Sequence, residues 1–191
     1  SVGCALLDSE GRILTVGVHP KAGQPHAEAM ALAQARDAGV LDQARTAIVT
    51  LEPCNHTGRT PPCSEALRNS PVEHVWIGVA DPTPQAAGGA ARLQEMPGGR
   101  DVTFLKDVPE LADLYRDCRA LLAPFQSRVT RHRPWISVKQ ALDRDGSMIP
   151  PVGQTTFTSE ASLMLAHRLR RATDAIITGV GTVLADKPRF T

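Results

Sequence analysis

Three residues able to bind one metal ion, His26, Cys54 and Cys63, lie far apart in the chain, and whatever fold forms has to bring them to one point. They belong to two segments, Pro25-His26-Ala27-Glu28 and Leu51-Glu52-Pro53-Cys54-Asn55-His56-Thr57-Gly58-Arg59-Thr60-Pro61-Pro62-Cys63. An imidazole and two thiolates fill three corners of a tetrahedron. A zinc ion with three protein ligands keeps its fourth position for water, which marks a catalytic rather than a structural site. Zinc draws the pKa of that water towards neutrality, so hydroxide becomes available at ordinary pH. Glu28, two residues after the histidine, is placed to carry protons rather than to bind the metal. The bland alternative is a closed structural site with His56 as fourth ligand. Structural sites usually draw on close Cys-x₂₋₄-Cys pairs, whereas eight residues separate Cys54 from Cys63.

The rest of the composition narrows the partners. The 191 residues suffice for one domain and a substantial part of another. A formal net charge of +1 gives no electrostatic reason to expect nucleic acid or a membrane surface, and 4% aromatic residues leave few platforms for stacking bases. No apolar run approaches a membrane span and no secretory pattern stands at the start, so a cytoplasmic location is expected. In that compartment Cys54 and Cys63 read as metal ligands rather than a disulfide. Cys4, in an apolar run, and Cys118, in a helical one, read as structural thiols. The chain opens without Met on a strand-like run and ends at Pro188-Arg189-Phe190-Thr191 without a stop signal, so segments are expected to be missing at both ends.

Apolar runs at Val2–Leu7 and Arg12–Val18 flank Asp8-Ser9-Glu10-Gly11, a hairpin signal. The spacing of Ala29, Met30, Leu32 and Ala33 predicts a helix from His26 to about Ala38, stopped by Gly39. Ala47–Leu51 reads as a strand and Cys63 to Arg68 as a helix begun by Pro62. His74–Val79 follows as a strand, Ala90–Glu95 as a helix, Val102–Leu105 as a strand, and Pro109 to about Leu122 as an amphipathic helix. A sheet between helical layers is therefore expected. The polar, basic stretch Ser127–Pro134 suggests a boundary, giving domains 1–126 and 127–191. Beyond it Trp135–Lys139 and Asp174–Thr178 read as strands, and Ser159 to Arg171 as a helix. His26 and Cys63 both fall in the first turn of a predicted helix, where the partial positive charge favours thiolate over thiol.

These residues resemble a known family. His-x-Glu followed by Pro-Cys and a second Cys is similar to the signature of zinc nucleobase deaminases, which places two residues between the cysteines; here there are eight. With His19-x-Lys21-Ala22-Gly23-x-Pro25-His26-Ala27-Glu28 and the Leu51–Cys63 segment, the pattern resembles the bifunctional riboflavin-biosynthesis deaminase/reductase family. Gly179-Val180-Gly181-Thr182-Val183-Leu184-Ala185-Asp186-x-Pro188 resembles a block of that family's reductase part. The resemblance implies a cytidine-deaminase-like three-layer α/β/α domain followed by an incomplete dihydrofolate-reductase-like α/β domain. It implies deamination of 2,5-diamino-6-(ribosylamino)pyrimidin-4-one 5'-phosphate, a small phosphorylated pyrimidine, with zinc on His26, Cys54 and Cys63 and with Glu28 as proton donor. By the same resemblance His19, His56, Arg59, Asp81, Thr155 and Arg170 contact substrate, and Thr182 and Asp186 contact NADPH. Association of copies is also expected.

Some positions depart from the family pattern. Its Asn-Pro just before Ser1-Val2-Gly3 is absent, Asp-Pro-Asn-Pro is Asp81-Pro82-Thr83-Pro84, and Ser-x-Asp-Gly is Asp143-x-Asp145-Gly146. Because little sequence follows Asp186, this polypeptide is expected to lack NADPH-dependent reductase activity. The competing readings are a deaminase of cytidine or of adenosine in tRNA, and a non-catalytic scaffold held by zinc. The eight-residue spacing opposes the first, and Glu28 beside the ligands opposes the second.

Overall fold

Asp8 turns the chain between β1 (Gly3–Leu7) and β2 (Ile13–Val18): its Oδ1 accepts the N–H groups of Glu10 and Arg12, both at 2.9 Å. Gly11 takes the left-handed conformation that completes this turn, with φ of 80°. The free edge of β1 pairs antiparallel with β3 (Thr46–Leu51), and β4 (His74–Val79) and β5 (Asp101–Phe104) add in parallel. The strand order is β2-β1-β3-β4-β5. Parallel neighbours need crossovers, and α2 (Cys63–Arg68) and α3 (Gly89–Gln94) supply them. The computed structural model describes residues 2–21, 23–57, 61–95, 97–154, 156–186 and 188.

Side chains alternate across each strand. Leu6, Val49, Val75 and Ile77 point to one face and are fully enclosed there with Leu67 of α2 and Leu93 of α3. Each such side chain contributes roughly 1.5–3 kcal/mol by leaving water. The helix α1 (Ala27–Asp37) lies on the same face over β1 and β2. Its buried Ala27, Ala31 and Ala35 recur every four residues, forming a narrow stripe that permits close approach. At Gly17 the approach is so close that a Cβ would stand 2.1 Å from the Ala27 carbonyl oxygen. The opposite face is crossed by α4 (Ala112–Arg131): a Cβ on Gly78 would meet Cys118 Sγ at 2.9 Å. The result is the expected three-layer, cytidine-deaminase-like arrangement.

Two expectations need correction. The helix α4 runs on through Ser127 to Arg131 instead of ending near Leu122, with Pro124 inside it. Proline removes one helical hydrogen bond, but Leu122 and Phe125 on either side pack against Leu51 and Val79 and hold the turn in place. The chain divides into two compact units, Ser1–Trp135 and Ile136–Thr191. In the second, the described residues form α5 (Glu160–Arg171) and α6 (Val180–Asp186) but no strand. Trp135–Lys139 and Asp174–Thr178, expected as strands, are not in a ladder, and Ile136, Val138 and Ile177 are exposed. β-branched residues favour a strand only when a neighbouring strand and a covering layer receive them. Gly179 leads directly into α6, whose first three residues are Val180, Gly181 and Thr182.

Candidate metal centre

The start of α1 delivers His26 as its N-cap, with Glu28 in the first turn. The exit of β3 delivers Cys54, and Pro62 opens α2 so that Cys63 is its first residue. His26 Nδ1 stands 3.5 Å from Cys54 Sγ and 3.3 Å from Cys63 Sγ, and all three ligand atoms lie within 4.8 Å of one another. Tetrahedral zinc with ordinary Zn–S and Zn–N bonds holds its nitrogen and sulfur ligands about 3.6 Å apart. The donor set and the spacing both fit that ion.

The two thiols share a proton unequally. Cys54 is lowered to about 5, first by the hydrogen bond from the Cys63 thiol, then by the Cys63 N–H at 3.4 Å and by His26. Cys63 is pushed upward as the donor to Cys54, and burial adds to this. Cys54 is thus the thiol that this arrangement favours as thiolate, and metal binding requires both sulfurs to lose their protons. Glu28 is buried, 3% exposed, and burial raises its pKa, the Cys54 thiolate adding to the effect. Its carboxyl also reaches the Cys63 thiol. A carboxyl of this kind, held ready to keep a proton, suits acid–base work.

Residues 1–79 match the family model described as the cytidine and deoxycytidylate deaminase zinc-binding region. The riboflavin biosynthesis protein RibD of Aquifex aeolicus is 38% identical over 189 residues, which are 98% of this chain and 50% of that protein. RibD of Escherichia coli strain K12 is 38% identical over 193 residues, spanning 100% of this chain and 49% of that protein. The crystal structure of a diaminohydroxyphosphoribosylaminopyrimidine deaminase/5-amino-6-(5-phosphoribosylamino)uracil reductase from Thermotoga maritima superposes with a TM-score of 0.79. It is 35% identical, over 98% of this chain and 51% of that one. This chain belongs to the RibD family. It spans about half the length of the curated RibD relatives it matches.

The remaining site residues inferred from RibD resemblance are dispersed. His19 joins the cluster: its ring meets that of His26 edge-on at 5.4 Å, and its Nδ1 is 2.9 Å from the Pro25 carbonyl oxygen. His56 is exposed in the segment between the two cysteines. Asp81 Oδ1 accepts the Thr83 N–H at 2.8 Å and hydroxyl at 2.6 Å, so this oxygen serves its own loop. Arg59 and Thr155 lie outside the described residues. In the second unit Arg170, next to last in α5, lines an open depression of about 450 Å³ together with Arg171 and Asp174. Thr182 is exposed in the first turn of α6; Asp186 is its last residue, with its side chain outside the described part. Glu52 is the residue that sequence reasoning passed over. It is buried and accepts N–H groups from positions 81, 88 and 90. Those partners lie 29 to 38 residues downstream, and nothing local announces them.

Proposed function

We propose that this chain is a zinc-dependent hydrolytic deaminase. Its substrate would be 2,5-diamino-6-(ribosylamino)pyrimidin-4-one 5'-phosphate, whose ring amine leaves as ammonia to give the 5-aminouracil derivative. The observation that carries the reading is the buried Glu28 beside the converging His26, Cys54 and Cys63. RibD relatives at 38% identity support the choice of ring over cytidine or tRNA adenosine. His26 Nδ1, Cys54 Sγ and Cys63 Sγ would hold the zinc, which when bound makes a water acidic enough to attack carbon near neutral pH. Glu28 would take up a proton from the attacking water and hand it to the ring nitrogen next to the amine-bearing carbon. It then passes the second proton to the departing amine, so water and amine become ring carbonyl and ammonia with no proton left over. His19, packed against the His26 ring, would face the substrate side; His56 and Arg59, which lie between the two cysteines in sequence, would meet the phosphate.

The test compares ammonia release from this substrate by the unaltered chain and by Glu28→Gln at equal zinc content. Release should fall by about 10²–10⁴-fold, the range of general acid–base catalysis, with zinc retained. An unchanged rate in Glu28→Gln would remove Glu28 from the chemistry. Loss of the fold on chelation, together with no release from either protein, would favour the zinc-held scaffold.

A further inference from the structure

Glu52 takes no part in the chemistry proposed for Glu28, yet its carboxylate is buried, 7% exposed, among backbone donors. Oε1 accepts the N–H groups of Gly88 at 3.1 Å and Ala90 at 3.0 Å, and Oε2 accepts that of Asp81 at 3.0 Å. All three donors belong to one segment, 81–90, which leaves β4 and enters α3. Glu52 leaves β3 alongside it, its own N–H bonded to the Val79 carbonyl at 2.8 Å, and Cys54 follows two residues later. Two neutral contacts run parallel to this tie. The Asn55 N–H donates to the Ala86 carbonyl at 2.9 Å, and Gly89 presses so closely on Pro53 that a Cβ would lie 1.7 Å from its carbonyl oxygen.

A carboxylate withdrawn from water needs partners for its charge, and hydrogen bonds to an ionised acceptor are roughly twice as strong as neutral ones. Glu52 thus supplies the charged part of the attachment between the metal loop and segment 81–90. Thr83 folds back on Asp81 through two hydrogen bonds, so the segment is already shaped where Glu52 grips the Asp81 N–H. We infer that Glu52 is a positioning residue: it fixes segment 81–90 beside Cys54 as a wall of the substrate pocket, without touching substrate or metal. The consequence for substrate rests on the deaminase reading.

Glu52→Gln separates this role from bulk stability, because the side chain keeps its volume and one acceptor oxygen. With that oxygen on Gly88 and Ala90, the new NH₂ faces the Asp81 N–H, donor against donor. Hydrogen exchange on the full chain should then quicken at the Asp81 amide by about tenfold or more while Val75 and Ile77 in β4 keep their rates. With zinc content unchanged, KM for the diaminopyrimidine ribosyl phosphate should rise about tenfold and kcat stay within about threefold. Glu52→Asp, which keeps both oxygens on a shorter stem, should fall between the two, and it serves the same measurements if the glutamine variant does not fold. Unaltered exchange at Asp81, Gly88 and Ala90 would overturn the inference, and so would faster exchange with an unchanged KM. Should the unaltered chain release no ammonia, the deaminase reading falls while the exchange rates alone still uphold or overturn the tether.

Discussion

The chain makes one turn twice. In Asp8-Ser9-Glu10-Gly11-Arg12 the Asp8 Oδ1 accepts the N–H groups two and four residues on, both at 2.9 Å, and Gly11 has φ of 80°. In Asp143-Arg144-Asp145-Gly146-Ser147 the Asp143 Oδ1 accepts from the same relative positions at 2.9 and 2.8 Å, and Gly146 has φ of 79°. The first turn joins two paired strands, whereas the second joins none. Beside Asp8, Cys4 and Leu6 are buried beneath α1; beside Asp143, Ile136, Val138, Leu142, Met148 and Ile149 are all at least half exposed. An aspartate and a left-handed glycine are therefore enough to shape the turn, but not to make a hairpin. Strands persist where a third element covers them.

The largest expected effect exploits that contrast with one residue type. Ile77 is fully buried in β4, while Ile177 is 97% exposed in a segment of the second unit that also looks strand-like in sequence. Ile77→Ala should cost about 2–5 kcal/mol in urea unfolding of the first unit, from lost burial and the cavity left behind. Ile177→Ala should change it by less than about 0.5 kcal/mol. A large loss from Ile177→Ala would show that the segment is covered in solution and would erase the contrast.

The same contrast explains what was legible beforehand. Every strand of the sheet was readable from its apolar run, because each has neighbours and a covering helix that reward what the sequence favours. Trp135–Lys139 and Asp174–Thr178 have comparable runs, but strand formation depends on distant partners that a local pattern does not contain. The helix α4 departs in the other direction: an end was expected near Leu122, yet the helix continues through Pro124 because apolar contacts of Leu122 and Phe125 with Leu51 and Val79 outweigh one missing hydrogen bond. At the site, the meeting of His26, Cys54 and Cys63 was legible because residue types and spacing already suggest one metal centre. Glu52 was not, since a carboxylate that binds three backbone N–H groups looks in sequence like any other glutamate.

A second, smaller effect asks whether the two units unfold together. Ser159 caps α5, its Oγ accepting the Ser162 N–H at 3.3 Å. Ser159→Ala should weaken α5 by about 1 kcal/mol. The change should be visible as faster hydrogen exchange within α5, while the urea midpoint of the first unit stays where it was. A midpoint that falls by the same amount would mean that the two units form one cooperative structure.

The smallest effect returns to the paired turns. Asp8 has a further partner, the Arg12 guanidinium, whose Nε donates to Oδ2 at 2.8 Å. That bond, followed by the backbone N–H groups of Arg12 and Glu10, holds the Asp8 carboxyl below the ordinary value of 3.8. A pKa lowered by folding contributes stability that is fully present above the unfolded value and disappears as pH falls through the folded one. Asp8→Asn should therefore lower the thermal midpoint of the first unit near pH 6, and the gap from the unaltered chain should close as both approach about pH 2. Asp143→Asn, altering a turn with no hairpin around it, should leave that midpoint unmoved at either pH. If both substitutions lowered it alike, the second turn would belong to a covered hairpin after all, and the difference between the two regions would lie in something other than cover.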